Sequence, residues 1–212
     1  MIVATKPQPT WQQATWDDYV KLRDDEQGDR YRLFFDTQKL WIEMGAEGIN
    51  HVKFGDLFAM LLLVCATKFP DIKLSTFGGC QMEKKGTRAV APDIVVYVGD
   101  DTPTWKIGQS RFIDLEQWRS PDLVGEIADT TLAIDLDEKK RVYAELDISE
   151  YWVIDVRAYR LFAFKLDENG VYEQCEVSQV LPDLAISLLE KTLEQLTTKT
   201  NTEAAIWFSQ QI

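Results

Sequence analysis

The order of apolar and polar positions divides the chain into short strands and a few helices. TWDDYVKLRDD predicts a short helix capped at Thr15, with acids in its first turn. YRLFF and LWIEM are apolar-rich runs around the polar DTQK and predict a β-hairpin. GAEGIN reads as a loop, and Asn50 as the N-cap of a helix over 50–68. That helix is apolar nearly all round in its second half, so it is expected to be buried. A strand is predicted over Ile72–Phe77, and FGGCQMEKKGTRA reads as strand and loop around a Gly-Gly turn.

APDIVVYVGD is a β-branched strand closed by Gly99. DDTPTWKIGQSRFIDLEQWRS is loop-like with room for a short strand, and PDLVGEIAD is a further strand. Asp135–Leu146 predicts a helix. EYWVIDV, AYRLFAFKL and VYEQCEV are strands, with DENG as the turn between the last two. LPDLAISLLEKTLEQL predicts a C-terminal helix. Antiparallel hairpins stand beside strands joined through helices, which implies an α/β fold with a mixed central β-sheet flanked by helices and an N-terminal β-hairpin. There is no internal repeat and no low-complexity linker. The expected organisation is a flexible N-terminus over 1–14 and a single domain over 15–212.

Composition supports a globular reading: 212 residues, 45% hydrophobic and 27% charged. The net charge of −12 changes the picture more. It argues against broad binding to nucleic acid, since phosphate contacts need Lys and Arg, but leaves room for a local basic groove or a metal that offsets carboxylates. Cys65, Cys80 and Cys175 are odd in number and far apart, fitting neither a zinc pattern nor a disulfide framework, and read as reduced thiols. MIVATKPQPT lacks a signal-peptide pattern, and the longest apolar run, Ala59–Ala66, is too short to cross a bilayer. A cytoplasmic protein with no membrane partner is expected.

The candidate chemistry starts with PDLVGEIADTT, residues 121–131, where Glu126 stands in the middle of a strand headed for a buried sheet. Burying a carboxylate is costly unless something pairs with it. Pro92-Asp93 opens the IVVYV strand just as Pro121-Asp122 opens LVGEI. Side chains two apart share a strand face, so Asp122, Val124 and Glu126 point one way, as do Asp93, Val95 and Tyr97. If the two strands are neighbours, Asp93 and Glu126 converge at one end of the sheet. Paired hard oxygen ligands of this kind hold Mg²⁺ or Mn²⁺, which can activate water and stabilise a phosphate under attack. A phosphodiesterase of this design also needs a cation, usually lysine, and the nearest strand slot is Ala128. The next helix offers one. With Asp135 at zero, Leu136, Val142, Tyr143 and Leu146 cluster at about 50° on the helical wheel, and Lys139 falls at about 40°. It either snorkels to an edge or meets a buried carboxylate. Lys140, at about 140°, lies at the edge of the stripe.

PDIVVYV, PDLVGEI and DLDEKKRVYAELDISEYWVIDV together resemble the Uma-family putative restriction endonucleases of the PD-(D/E)XK nuclease-like superfamily. The resemblance runs from about Tyr31 to Leu184 and is most specific over Pro121–Val156: a strand with Glu, a D-x-x-x-K-x-x-x-Y helix, then an E-Y-W-V-I-D strand. It implies a restriction-endonuclease-like fold and metal-dependent hydrolysis of DNA or RNA. Asp93 matches the family's PD aspartate, Glu126 its strand glutamate, and Lys139 the lysine this group carries on the helix. His51 matches a histidine early in the first large helix, after an M-x-x-x-G-x-x-H-like loop. The resemblance and the number of aromatic residues also imply a homodimer. The chain departs from the pattern at Tyr31-Arg32, where many members have Tyr-Glu, and at Asp36-Thr37, where they have Asp-Gly.

The site expected from these residues is Asp93 and Glu126 as ligands of Mg²⁺ or Mn²⁺ with Lys139 assisting, and His51 and Asp122 as candidate accessory residues. Plainer roles stand beside each. Pro-Asp at a strand entrance is ordinary turn chemistry, Glu126 and Lys139 can form an internal ion pair, Asp122 can cap a turn, and His51 can serve packing. Glu43 or Glu47 could add a carboxylate. Lys84, Lys85 and Arg88 form a small basic cluster that could meet phosphate, or a solvated loop. Trp105, Trp118 and Trp152 read as core or interface aromatics. Two functions remain open: a metal-dependent nuclease, and a degenerate nuclease fold serving as a binding or assembly module.

Overall fold

Helices and strands follow the apolar pattern closely in the computed structural model, which describes residues 10–25, 31–44 and 47–212. In chain order the elements are β1 (Gln12–Gln13), α1 (Trp16–Arg23), β2 (Tyr31–Asp36), β3 (Lys39–Met44), α2 (Ile49–Lys68), β4 (Leu74–Phe77), β5 (Met82–Lys84), β6 (Arg88–Val90), β7 (Ile94–Val98) and β8 (Ile113–Asp114). There follow β9 (Leu123–Ala128), α3 (Leu132–Ile134), one π-helical turn (Asp135–Lys139), α4 (Lys140–Ala144), β10 (Glu150–Asp155), β11 (Arg160–Leu166), β12 (Tyr172–Gln174), α5 (Ile186–Gln195) and α6 (Asn201–Ser209). Of the segment 1–14 expected to be flexible, residues 1–9 lie outside the described residues, and Gln12–Gln13 pair with β3. Gly45 and Ala46 of the expected GAEGIN loop also lie outside them.

The chain forms two units. The first comprises Met1–Glu47, Cys80–Ala91 and Trp105–Trp118. It carries a mixed sheet in the order β1-β3-β2-β6-β5-β8, so the expected N-terminal hairpin, β2–β3, is part of a larger sheet of its own. Its turn is Thr37-Gln38, tighter than the four residues DTQK, with Thr37 at φ +52°. Thr15 caps α1 in a reciprocal box with Asp18. Tyr19 of α1 packs with Leu33, Phe35, Leu40 and Ala89. Its hydroxyl donates to the buried Glu83 at 2.5 Å, and Arg23 holds the same carboxylate at 2.7 and 2.9 Å.

The second unit comprises Gly48–Gly79, Pro92–Thr104 and Arg119–Ile212. Its mixed sheet runs β12-β11-β10-β9-β7-β4 and is the central sheet the sequence implies. β9 pairs in parallel with β10 and antiparallel with β7. Phe54, Leu57, Phe58 and Leu61 of α2 join Ile94, Val96, Leu123 and Ile127 in one core with α5 and α6. By length and composition α2 would suit a membrane span, yet six of its residues are buried in this core. α2 begins at Ile49 after Gly48, which offers no side-chain cap, so Asn50 lies inside the first turn rather than capping it. α6 was not read from the pattern; its Thr200–Glu203 capping box is the signal that marks it.

Two details hold β9 and β10 in place. At Gly125 a Cβ would sit 3.2 Å from Ile94 Cδ1 and 3.3 Å from Ile94 Cβ, so β7 and β9 carry no room for a side chain there. Glu150 at the start of β10 is buried and accepts hydrogen bonds from Trp152 Nε1, Ser178 Oγ and the Gln179 and Val180 amides. It ties the 178–180 turn to the sheet. We predict that Gly125→Val destabilises the fold by about 1–3 kcal/mol through overpacking against Ile94. Urea denaturation checks this: the midpoint falls with the slope unchanged.

Candidate functional site

Strand register brings the predicted carboxylates to neighbouring positions. β7 and β9 pair Ile94 with Gly125 and Val95 with Val124, and one further step sets Asp93 opposite Glu126. Asp93 Oδ2 accepts the Ile127 amide at 2.7 Å, and Oδ1 lies 2.9 Å from His51 Nε2 in the first turn of α2. The only histidine of the chain therefore holds the PD aspartate from one side while the β9 backbone holds it from the other. The His51 and Asp93 side chains are 13% and 8% exposed, more than Glu126 or Lys139.

Glu126 lies deeper, 1% exposed, and so does Lys139. Lys139 Nζ is 3.2 Å from Glu126 Oε2 and 3.0 Å from Asp135 Oδ1. Tyr143 donates its hydroxyl proton to Glu126 Oε1. Thr131 Oγ1 donates to Asp135 Oδ2 at 2.6 Å, and Tyr151 donates to the Asp135 carbonyl at 2.9 Å. Lys139 thus meets a buried carboxylate instead of snorkelling. Burial first, then the negative charges of Glu126 and Asp135, push the Tyr151 phenol well above its usual pKa, and Asp93 adds to the same effect. Tyr151 stays a proton donor. Asp93, Glu126 and Asp135 supply three carboxylates against the single ammonium of Lys139. The cluster thus holds two more carboxylates than ammonium groups.

The helical segment that delivers Lys139 begins at Leu132, earlier than the predicted Asp135, and Asp135–Lys139 form a π-helical turn. Such turns are rare and favour functional positions. Asp135, Lys139 and Tyr143 recur every four residues and face one spot. That D-x-x-x-K-x-x-x-Y spacing was visible in the chain, but only its lysine was read as chemistry; Asp135 and Tyr143 were missed as partners. Tyr151 carried no sequence signal beyond an apolar strand.

The other candidates make contacts of their own. Asp122 accepts the Val98 amide at 2.6 Å and binds Arg119 at 2.9 and 3.0 Å, clamping the entrance of β9. Lys140 packs its ammonium over the Phe164 ring. In the first unit, Arg32 lies 3.3 Å from Glu47 and 3.9 Å from Glu43. Lys84 and Arg88 belong to the β5–β6 hairpin, with Arg88 3.5 Å from Asp36. Trp152 is buried in the core, and Trp105 is 60% exposed.

Mixed sheets flanked by helices, with an aspartate and a glutamate at adjacent strand positions, define a nuclease-type α/β fold. A solved structure described as a putative nuclease belonging to DUF820 from Anabaena variabilis ATCC 29413 is similar to this chain, with a TM-score of 0.57 and 13% identity over 92% of this chain and 98% of that one. The chain belongs to the Uma2 family, described as "Putative restriction endonuclease", whose model matches residues 16–201. No match is found among curated proteins.

Tyr143→Phe removes the hydroxyl that Glu126 accepts in a buried setting. We expect a loss of about 1.5–3 kcal/mol, the range for a hydrogen bond to a charged group. Chemical denaturation of the variant against wild type measures it.

Proposed function

We propose that the protein is an endonuclease that uses Mg²⁺ or Mn²⁺ to hydrolyse phosphodiester bonds in DNA or RNA. The observation that carries this reading is the β7–β9 register, which sets Asp93 opposite Glu126, together with the 3.2 Å Lys139–Glu126 contact. The donor set fits such an ion. Carboxylate oxygens are hard ligands, each with lone pairs beyond the one already engaged, and the cluster holds more carboxylates than ammonium groups.

Asp93 and Glu126 would hold the metal, which when bound supplies an activated water and stabilises charge on the phosphate. The Ile127 amide and His51 fix the Asp93 carboxylate, so its oxygens are aimed before any ion arrives. Lys139 has no solvent of its own and keeps its charge beside Glu126, where it can donate to a phosphate oxygen or steady the attacking water. Asp122 acts at a distance by fixing the start of β9. Substrate reaches the cluster on the side of Asp93 and His51, the more exposed pair.

Cleavage of plasmid DNA and of RNA with Mg²⁺ and with Mn²⁺ tests the reading. Metal-dependent products that disappear in Asp93→Ala and Glu126→Ala are expected; no turnover of any DNA or RNA form with either metal would contradict it.

One observation favours the second reading, a degenerate fold acting as a homodimeric binding or assembly module. Both Glu126 oxygens already have protein partners, on a chain of net charge −12. That reading predicts a dimer by sedimentation, with neither metal uptake nor cleavage.

A further inference from the structure

Lys139 is shared between two buried carboxylates, and the nuclease reading uses only one of them. Asp135 lies one π-helical turn before it and is fully buried. The Thr131 hydroxyl and the Lys139 ammonium both reach its carboxylate. The ammonium sits 3.0 Å from Asp135 and 3.2 Å from Glu126, so it is poised between them. A divalent cation arriving at Glu126 repels an ammonium at this range. A buried ammonium displaced from one carboxylate needs another anion beside it.

The geometry points to Asp135 as a positioning residue that retains the Lys139 ammonium when a divalent cation takes Glu126. Asp135 would then do two things at once. It weakens the lysine's hold on Glu126 before metal binds, and it holds the displaced ammonium in place afterwards. This inference rests on the metal-dependent reading of the site, and it concerns a residue that need not touch metal or substrate.

The consequence is a sign pattern that no purely structural role produces. In Asp135→Asn the ammonium falls wholly to Glu126 and competes with the metal, so Mn²⁺ affinity drops about tenfold or more, as expected for coupled neighbouring charges. In Lys139→Met the competitor is gone, and Mn²⁺ binds more tightly than in wild type. In the double variant Asp135→Asn/Lys139→Met, affinity returns towards the wild-type value.

Isothermal titration of Mn²⁺ into the four proteins, with thermal unfolding of each apo form, reads this directly. Weakening in Asp135→Asn with recovery in the double variant supports the role. Equal affinity in wild type and Asp135→Asn overturns it while leaving the metal site standing. Weak binding that persists in the double variant also overturns it, because Asp135 is then a ligand itself. Absence of Mn²⁺ uptake by wild type removes the metal reading and this inference with it. Because Lys139→Met keeps Asp135, it remains a check if Asp135→Asn folds poorly: unchanged or weaker Mn²⁺ affinity in a folded Lys139→Met protein overturns the competition.

Discussion

The buried contact between Glu126 and Lys139 is the interaction on which the site depends. Neither charge could stand in the interior alone, because removing an ion from water costs several kcal/mol even after the protein relaxes. Each therefore needs the other, and each constrains its own element. Glu126 requires the helical segment after β9 to fold back over the strand. Lys139 requires that segment to present its fourth-residue face, which also carries Asp135 and Tyr143, towards β9. Hydrogen bonds from Thr131, Tyr143 and Tyr151 add to this pocket. Ion pairs of this kind seldom maximise stability.

Much of this was legible in the chain. Glu126 within an apolar strand and Lys139 within an apolar helical stripe are local contradictions, and such contradictions are expected where function overrides folding preference. The two Pro-Asp dipeptides also marked strand entrances correctly, yet they do different work. Asp93 faces His51 and the β9 backbone, whereas Asp122 is taken up by Arg119 and Val98. Nothing in either dipeptide separates these fates, because they depend on which strand lies alongside. Asp135 and Tyr143 were hidden for a similar reason. Four-residue spacing is common on any helix, and only the buried face gives it meaning. The π-helical turn that widens the helix at Asp135–Lys139 left no mark in the apolar pattern.

The fold adds a second lesson. The hairpin at the N-terminus belongs to a six-stranded sheet completed by β1, β5, β6 and β8, segments too short for alternation to reveal their pairing. The site residues come from the other sheet and from the helices packed on it. Family membership and fold agree with a nuclease, and the local chemistry is compatible with it: carboxylate oxygens with an ammonium beside them. The acidic surface works in the opposite direction at long range, since a polyanion is repelled until salt screens it within about 8 Å at physiological ionic strength. A divalent cation would act inside that distance, where it can offset the carboxylates of the cluster.

Crystals of the protein soaked with Mn²⁺, with data collected at the manganese absorption edge, test the central claim most directly. The account predicts an anomalous peak within ligand distance, about 2.0–2.2 Å, of carboxylate oxygens of Asp93 and Glu126, with the Lys139 ammonium shifted onto Asp135. A site free of manganese, with Lys139 still bonded to Glu126, would contradict it.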